Sequence, residues 1–473
     1  MSTFSGLNTA YTGLVASQKG LDVVGQNIAN ANTVGYTRQR VTTSPVSAIV
    51  TVNGASQVGQ GVSVDGIARL GSNQLDAQVR STSAASGYWS ARSVALSTLE
   101  TGLQEPGANG LSTQLQDFWA SWQDLSNNAG DSAPGAALLQ KASALATRIG
   151  DGYRALDTQW SQTRSNLGGM VSQLNSAASQ VADLNVQIRT TLAAGGSANE
   201  LIDQRDTLTN TIAGLVGGTV RDLGNGMVDV VVGGNAIVSG GTSRAVQAAG
   251  AQSLADTTTG QSVSLEFSSS PGTPIALDGG SIAGTISVLT PANASATGGA
   301  IAEAAASYNA FATDLATKVN AIHETGVTTD GVTTGLDFFG FTAGVPAAEG
   351  LTVIPTSSAG IATGTVGGGP YDGSNADAIS QLGSASTSPD KLWSGFVSGI
   401  GAATQSVLQQ SSLADFASTS AQGAQQSNSG VSLDEENVNL LTYQHAYQGA
   451  ARVMTAMDQM LDVLINHTGI VGI

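Results

Sequence analysis

Apolar residues recur at alternating spacings of three and four near both ends of the chain, a pattern that predicts helices with one coiled-coil face. Neither stretch contains proline, which is absent before Pro45 and after Pro389. The N-terminal set is Phe4, Leu7, Tyr11, Leu14, Leu21 and Ile28, and the C-terminal set is Leu440, Tyr443, Tyr447, Ala450, Met454, Met457, Leu461 and Leu464. We expect these two helices to pair with each other and with further copies of the chain.

The start of the C-terminal helix is marked by a capping box, in which Ser432 and Glu435 stand three residues apart. Asp434 and Glu436 add negative charge where the helix dipole is positive. We therefore predict a helix from about 433 to 467, about 50 Å long at 1.5 Å per residue.

A third periodic stretch lies in the middle of the chain, where no proline occurs between Pro134 and Pro271. Heptad spacing runs unbroken from Ile149 to Ile188 and predicts one long helix over about 136–193. Gly195 and Gly196 end it, and a capping box of Ser197 and Glu200 is expected to begin the next helix. Shorter helices are predicted near 74–104, 111–126, 297–324 and 391–409, enough for an antiparallel helical bundle.

Between the helices the apolar period changes to two, which is typical of strands. Alternating valines follow a turn at Gly224-Asn225-Gly226, and a second alternation runs from Val263 to Phe267. Ile282, Ile286 and Val288 are interpreted as a further strand. The Gly- and Thr-rich tract from 327 to 375 predicts turns and short strands.

These patterns predict a mainly α fold with an inserted β-rich module. We expect three domains: a terminal coiled-coil assembly domain (1–50 with 425–473), a helical bundle domain (51–195 with 296–328 and 376–424) and a β-rich outer domain (196–295 with 329–375). The 473 residues are enough for several modules of ordinary size.

Composition narrows the classes of function. The formal net charge of −17 argues against a nucleic-acid or anionic-membrane surface, because phosphates would be repelled. No apolar run approaches the ~20 residues of a membrane span, and the N terminus lacks the basic start and apolar run of a secretory signal peptide. The chain has no cysteine, so disulfides and thiolate catalysis are excluded.

Candidate catalytic or metal-binding groups are sparse, and we expect no enzyme activity and no cofactor. The histidines His323, His445 and His467 are not at metal-ligand spacing. We expect His323 and His467 to bond free carbonyls at helix ends, and His445 to have a surface or polar packing role. Asp434, Glu435 and Glu436 lack the ligand spacing of a calcium loop.

The segment from 27 to 38, NIANANTVGYTR, resembles the signature that follows the first helix in flagellar rod, hook and hook-associated proteins. Asparagines suit a helix exit, and glycine permits a turn before extended residues. The signature residues are Asn27, Asn30, Asn32, Gly35 and Tyr36. This resemblance places the chain among flagellar axial proteins.

The C-terminal end of the chain narrows the resemblance to one family of flagellar axial proteins. The segments 429–436 and 443–453 are similar to the C-terminal signature of the hook-associated protein 1 family, which forms the hook–filament junction. Internal segments at 99–125, 201–206 and 320–326 also follow that family's pattern. The resemblance covers roughly 1–240, 279–326 and 390–473.

The resemblance implies a structural subunit that forms homo-oligomers in the flagellar axis, with paired terminal helices around a central channel. It implies three partners: the hook protein, the second junction hook-associated protein, and a cytosolic export chaperone that binds the C-terminal helix. It also implies secretion by the flagellar type III apparatus without a cleaved signal, and terminal helices that fold on docking. Neither nucleic-acid binding nor membrane insertion is expected.

Three alternatives remain open at this point. Another axial protein, such as hook or distal rod protein, shares the asparagine signature but lacks the long helix over 136–193. An extracellular adhesin or enzyme in the β module would need clustered His, Asp and Glu, which the sequence does not show. A generic coiled-coil scaffold accounts for the stripes but not for the two terminal signatures.

Overall fold

A computed structural model describes residues 3–46 and 59–467. The terminal helices are α1 (Thr3–Ala29) and, in chain order the last, α12 (Leu433–Asp462), which continues into a π-helical turn at Val463–His467. They pack against each other as an antiparallel pair: Gly6 lies against Met457, Gly13 against Ala450 and Gly20 against Tyr443. The expected pairing of the chain ends therefore forms within one subunit.

The contact face of α1 differs from the stripe of large apolar residues. Glycines seven residues apart face α12, and Ala10, Ser17 and Val24, each four residues after one of them, are buried. Phe4 and Tyr11 are 67% and 56% exposed, and Leu7, Leu14, Leu21 and Ile28 are half-buried. Small residues let two helix backbones approach closely, so the large side chains of α1 flank the contact instead of filling it.

The helical body is built around one long helix. Its members are α2 (Asn73–Leu103), α3 (Leu111–Asn127), α4 (Ser132–Ala193), α5 (Asn199–Val216), α7 (Gly280–Leu289), α8 (Ala300–His323) and α11 (Pro389–Ser429). The 62 residues of α4 span about 93 Å at 1.5 Å per residue. Its buried face supplies Leu138, Ile149, Trp160, Leu174 and Ile188 to the core.

The strands form small antiparallel sheets. A ribbon joins β1 (Gln39–Pro45) to β2 (Val62–Arg69). A four-stranded sheet has the order β3 (Thr219–Asp222), β4 (Val228–Val232), β5 (Asn235–Ser239), β6 (Thr242–Ser243). The paired strands β7 (Val246–Ala249) and β8 (Ser264–Phe267) flank the short helix α6 (Leu254–Thr258).

The tract from 327 to 375 also contains short pairs. There β9 (Val327–Thr328) pairs with β12 (Ala362–Gly364), and β10 (Phe339–Phe341) pairs with β11 (Leu351–Val353). Two short helices complete the region, α9 (Ala347–Gly350) and α10 (Ser374–Ser380), with 3₁₀ turns at Ser358–Gly360 and Gln381–Ser384. The prediction of a mainly α fold with a β-containing module is confirmed.

Several local predictions differ from the structure. The predicted strand over Ile282, Ile286 and Val288 is helix α7, since Ile282 and Ile286 are four residues apart and share one helical face. No capping box forms at Ser197, because the N-cap residue of α5 is Ala198 and Glu200 bonds Gln39 instead. The ribbon β1–β2 was not predicted, and α11 runs twenty residues beyond its predicted end at 409.

His323 clamps the β-containing loops and does not cap its own helix as predicted. Its ring is fully buried, with Nδ1 2.6 Å from the Leu336 carbonyl and Nε2 accepting from the Ala362 amide at 2.9 Å. These partners fit a neutral ring that donates from Nδ1. Burial lowers the pKa of His323, against smaller opposing effects of the Leu336 bond and Asp337.

The glycine contacts of α1 generate a stability prediction. A Cβ at Gly20 would lie 2.4 Å from the Tyr443 ring, whereas one at Gly13 would meet the Ala450 methyl at 3.9 Å. We expect Gly20→Ala to destabilise the terminal pair by about 1–3 kcal/mol through overpacking. The matched Gly13→Ala should gain about 0.5–1 kcal/mol from helix propensity. Hydrogen exchange of the α12 amides measures both, and equal protection in the two variants would contradict this packing.

The lowered pKa of His323 generates a pH prediction. An unfolded histidine titrates near pH 6.5, so the stability that the neutral ring contributes is present above about pH 6.5 and is lost as pH falls toward the lower folded pKa. The stability difference between the native chain and His323→Gln should therefore shrink between about pH 7.5 and 5.5. Urea unfolding measures it, with the exposed His445→Gln as control. A pH-independent difference would contradict a neutral buried ring.

Candidate assembly site

Asn27, near the end of α1, is the centre of a buried polar joint. Its Nδ2 donates to the Gln39 carbonyl at 2.9 Å and to Glu436 Oε2 at 3.1 Å. Its Oδ1 accepts from the Gln39 amide at 3.0 Å and from the Tyr36 hydroxyl at 2.9 Å. The side chain is 1% exposed and is fully hydrogen-bonded. One asparagine thus joins α1, the first strand and α12.

Glu436 brings the opposite end of the chain into the same joint. It lies in the first turn of α12 and is also 1% exposed. Its Oε1 accepts from Arg38 Nε at 2.7 Å, and Arg38 Nη1 contacts the neighbouring Glu435 at 2.6 Å. The Arg38 backbone amide also donates to the Ser429 carbonyl. The N-terminal and C-terminal signatures are therefore two halves of one site.

The surroundings of Tyr36 oppose ionisation of its hydroxyl group. Burial, followed by the nearby carboxylates Glu200, Asp203 and Glu436, raises its pKa to about 12. The phenol is therefore protonated well beyond neutral pH, and it donates a hydrogen bond to Asn27.

Gly35 makes the turn before this joint. Its φ is +82°, and a Cβ there would lie 2.6 Å from Thr207 Oγ1 on α5. Both the backbone conformation and the close approach favour glycine. Asn30 bonds the Gln26 carbonyl and Thr33 within the helix exit, and Asn32 lies on the surface. Of the five signature residues, Asn27 and Tyr36 belong to the joint, and Gly35 makes the turn that leads into it.

A second cluster ties the ribbon to the body. Asp203 on α5 accepts from the Thr37 amide at 3.1 Å and from Arg69 Nε at 2.9 Å. Arg69 Nη2 also contacts Asp206 at 2.9 Å. Burial raises the pKa of Asp206, while Arg69 and Arg205 oppose this effect. The arrangement holds the terminal pair to the body through charge-assisted hydrogen bonds.

The C-terminal stripe of α12 mostly faces α1. Leu440, Tyr443, Ala450, Met454, Met457 and Leu461 are half-buried along that face. Tyr447 is 36% exposed and Leu464 is more exposed still. The apolar side chains of α12 that point outward were not among the predicted residues: they include Val438, Leu441, Val453, Met460 and Ile465.

Sequence reasoning missed several residues of the joint. Gln39 and Arg69 were not singled out, and Glu436 was interpreted as a helix-dipole partner inside the C-terminal signature, without a bonding partner. Asp203 and Arg38 stood inside segments that carried the resemblance, without a role. Arg38 and Glu436 are 398 residues apart, and nothing local in the sequence pairs them.

The chemistry of the joint is that of binding and positioning. Within 3–46 and 59–467, no cluster of three or more His, Asp and Glu side chains could hold a metal ion. Among the helices in those ranges, none is long and apolar enough to cross a membrane. The expected absence of catalytic activity and of a cofactor stays a prediction. The side chain of His467 lies outside the part of the chain that the structure describes, so its expected bond to a helix-end carbonyl stays a prediction.

Comparison with known proteins adds family information. A model described as the flagellar hook-associated protein FlgK helical domain matches residues 96–339. Two further models match the ends: flagella basal body rod protein at 7–37 and the C-terminal model of flagellar basal body rod FlgEFG proteins at 421–466. The end models thus cover the two helices that meet in the joint.

Individual relatives agree with these models. Flagellar hook-associated protein 1 of Bacillus subtilis (strain 168) is 30% identical, and the match covers 100% of this chain and 99% of that protein. The Escherichia coli (strain K12) protein of the same name is 35% identical over 51% of this chain and 44% of its own length. A solved structure, the flagellar hook junction protein FlgK from Burkholderia pseudomallei, has a TM-score of 0.61 at 17% identity, covering 76% of this chain and 100% of that one.

The joint generates a prediction that uses two adjacent glutamates. Both contact Arg38, but Glu436 is 1% exposed and the side chain of Glu435 is 63% exposed. Glu436→Ala leaves Arg38 and Asn27 without their buried partner, so we expect a loss of about 3–5 kcal/mol in the stability of the terminal pair. Glu435→Ala should cost less than about 1 kcal/mol.

Native-state hydrogen exchange of the α12 amides measures the effect of these two variants. Both variants remove a carboxylate from the same helix turn, so the loss of the dipole interaction is matched. Similar protection in Glu436→Ala and Glu435→Ala would show that the buried joint does not hold α12.

Proposed function

Because this chain belongs to the FlgK family of flagellar hook-associated proteins and is a structural protein of the hook–filament junction, we propose that it enters the junction through its paired terminal helices. The observation that carries the proposal is the glycine seam between α1 and α12. The seam uses small residues for the contact within one chain and leaves the large apolar residues of α1 for contacts with other subunits.

The exposed apolar side chains support this division of roles. Phe4 and Tyr11 on α1, and Val453, Met460 and Ile465 on α12, are each at least 47% exposed. Soluble proteins seldom leave such a row uncovered without a binding partner. The assembly residues remain those of the two stripes: Phe4, Leu7, Tyr11, Leu14, Leu21 and Ile28 on α1, with Leu440, Tyr443, Tyr447, Ala450, Met454, Met457, Leu461 and Leu464 on α12.

The proposed domains have the bounds expected from the sequence. Residues 1–50 with 425–473 form the assembly domain, 51–195 with 296–328 and 376–424 form the helical bundle, and 196–295 with 329–375 form the β-rich outer domain. With these bounds the polar joint of Asn27, Arg38 and Glu436 lies within the assembly domain and holds the two chain ends together. The charged bonds from Arg69 to Asp203 and Asp206 connect the second of these domains to the third.

The proposed partners are further copies of this chain, the hook protein, the second junction hook-associated protein and a cytosolic export chaperone. Neither nucleic acid nor a membrane interior is among them, in keeping with the net charge of −17. In this proposal the protein acts in the flagellum outside the cell, after export without a cleaved signal peptide. It has no catalytic role there.

Complementation of a gene deletion tests the assembly role. The variant carries Phe4→Asp and Tyr11→Asp, at two exposed sites where charge should not disturb the monomer fold. Placed in a contact between subunits, the two carboxylates would be buried without partners, at a large cost. We expect bare hooks and filament protein shed into the medium, as in the deletion strain itself, with thermal unfolding of the purified variant unchanged.

The matched control replaces another exposed apolar residue, Val332, by Asp; it is 81% exposed and lies in the tract from 327 to 375. This control should restore filaments. Normal filaments in the Phe4/Tyr11 variant would remove α1 from the subunit contacts. Absent hooks in the deletion strain would instead move the chain's site of action to the rod or hook.

A further inference from the structure

Methionines are concentrated on one stretch of the C-terminal helix. Three of the six methionines of the chain, Met454, Met457 and Met460, lie within seven residues of α12. Met454 and Met457 are half-buried, and Met460 is 47% exposed. Because the chain has no cysteine, thioethers are its only sulfur groups, and those of α12 are open to solvent at least in part.

Met457 differs from the two methionines beside it because it belongs to the glycine seam. A Cβ at Gly6 would lie 2.6 Å from Met457 Cε and 3.4 Å from its sulfur atom. The thioether therefore lies against the backbone of α1, in space that the missing side chain of glycine leaves free. The other two residues of α12 in the seam, Ala450 and Tyr443, contain no sulfur atom. The seam thus has an oxidisable thioether at Gly6.

Oxidation of this sulfur atom would change the contact in both polarity and size. A sulfoxide carries a polar oxygen on a side chain that was apolar. Between closely packed helices, an added atom forces the surrounding groups to move. Gly6 and Met457 also lie at the opposite end of the pair from Asn27 and Glu436, so the bonds of the joint do not hold this contact closed.

We propose that Met457 is a sulfoxidation site, and that its oxidation by hydrogen peroxide opens the terminal pair at the end far from the joint. A lone pair of the sulfur atom attacks one peroxide oxygen, an S–O bond forms, the O–O bond breaks, and water leaves. Sulfur loses two electrons and the peroxide gains them. Methionine sulfoxide reductases reverse the change. The consequence for assembly rests on the proposed function, since a subunit with an opened pair should not enter the junction.

Graded treatment of the purified full-length chain with hydrogen peroxide tests the site. Peptide mass spectrometry measures the sulfoxide at each methionine, and hydrogen exchange of the α12 amides reports whether the pair is closed. As Met457 is oxidised, we expect the amides around it to exchange roughly tenfold faster or more. Repair by methionine sulfoxide reductases should restore slow exchange.

Two variants separate Met457 from the methionines beside it. Met457→Leu nearly conserves the side-chain volume, and its α12 amides should keep slow exchange in peroxide. A chain with Met454→Leu and Met460→Leu retains Met457 and should open as the native chain does. Equal opening of Met457→Leu, an unmodified Met457 in a chain whose Met460 is oxidised, or slow exchange that persists after Met457 is oxidised would each overturn the proposal. Fast exchange before treatment would overturn it too, because no closed pair would exist.

Binding to hooks distinguishes this inference from the proposed function. The purified chain, either oxidised or oxidised and then repaired, is added to hooks isolated from the deletion strain, and the bound chain is measured. We expect the repaired chain to bind and the oxidised chain to lose most of this binding. Equal binding of both forms, with the pair shown to be open in the oxidised one, would contradict entry through the paired helices and leave the oxidation site at Met457 in place.

Discussion

Burial of the Glu436 carboxylate is the constraint on which the organisation of both chain ends depends. A charged group placed almost out of contact with water is tolerated only when its bonds are satisfied. Arg38 and Asn27 supply those bonds, and each is held in turn by backbone groups of Gln39 and Ser429. The start of α12, the end of α1 and the first strand must therefore pack together at this site.

The glycine seam follows from this arrangement. With the joint fixed at one end, α1 and α12 run side by side over most of their length, and Gly6, Gly13 and Gly20 allow close contact at intervals of seven residues. Bulkier residues in those positions would push the helices apart and strain the joint. On α1, small residues inside and large residues outside give the helix two separate faces, one for α12 of its own chain and one for its surroundings.

The sequence allowed prediction of those features that depend on long local periodicity. The 62-residue α4, the terminal helices and the mainly α class were predictable because their signals extend over many turns. The face of α1 was not, because glycine and serine give no hydrophobic signal. Helix α7 was mistaken for a strand since a ten-residue apolar segment fits either period. Asn27, Gly35 and Tyr36 were recognisable, but their partners on α5 and α12 are distant in sequence and depend on tertiary packing.

The separation of Arg38 from Glu436 in the sequence also sets the order in which parts of the chain can fold. A contact that closes a loop of 398 residues cannot form until the ribosome has made nearly the whole chain, and closure of so long a loop is entropically costly. The helical body can therefore be complete while both ends are still free. Unravelling under tension follows the opposite path: a pull on either terminus first separates the terminal pair near Gly6 and Met457, and it reaches the joint only after the contacts of the pair are lost.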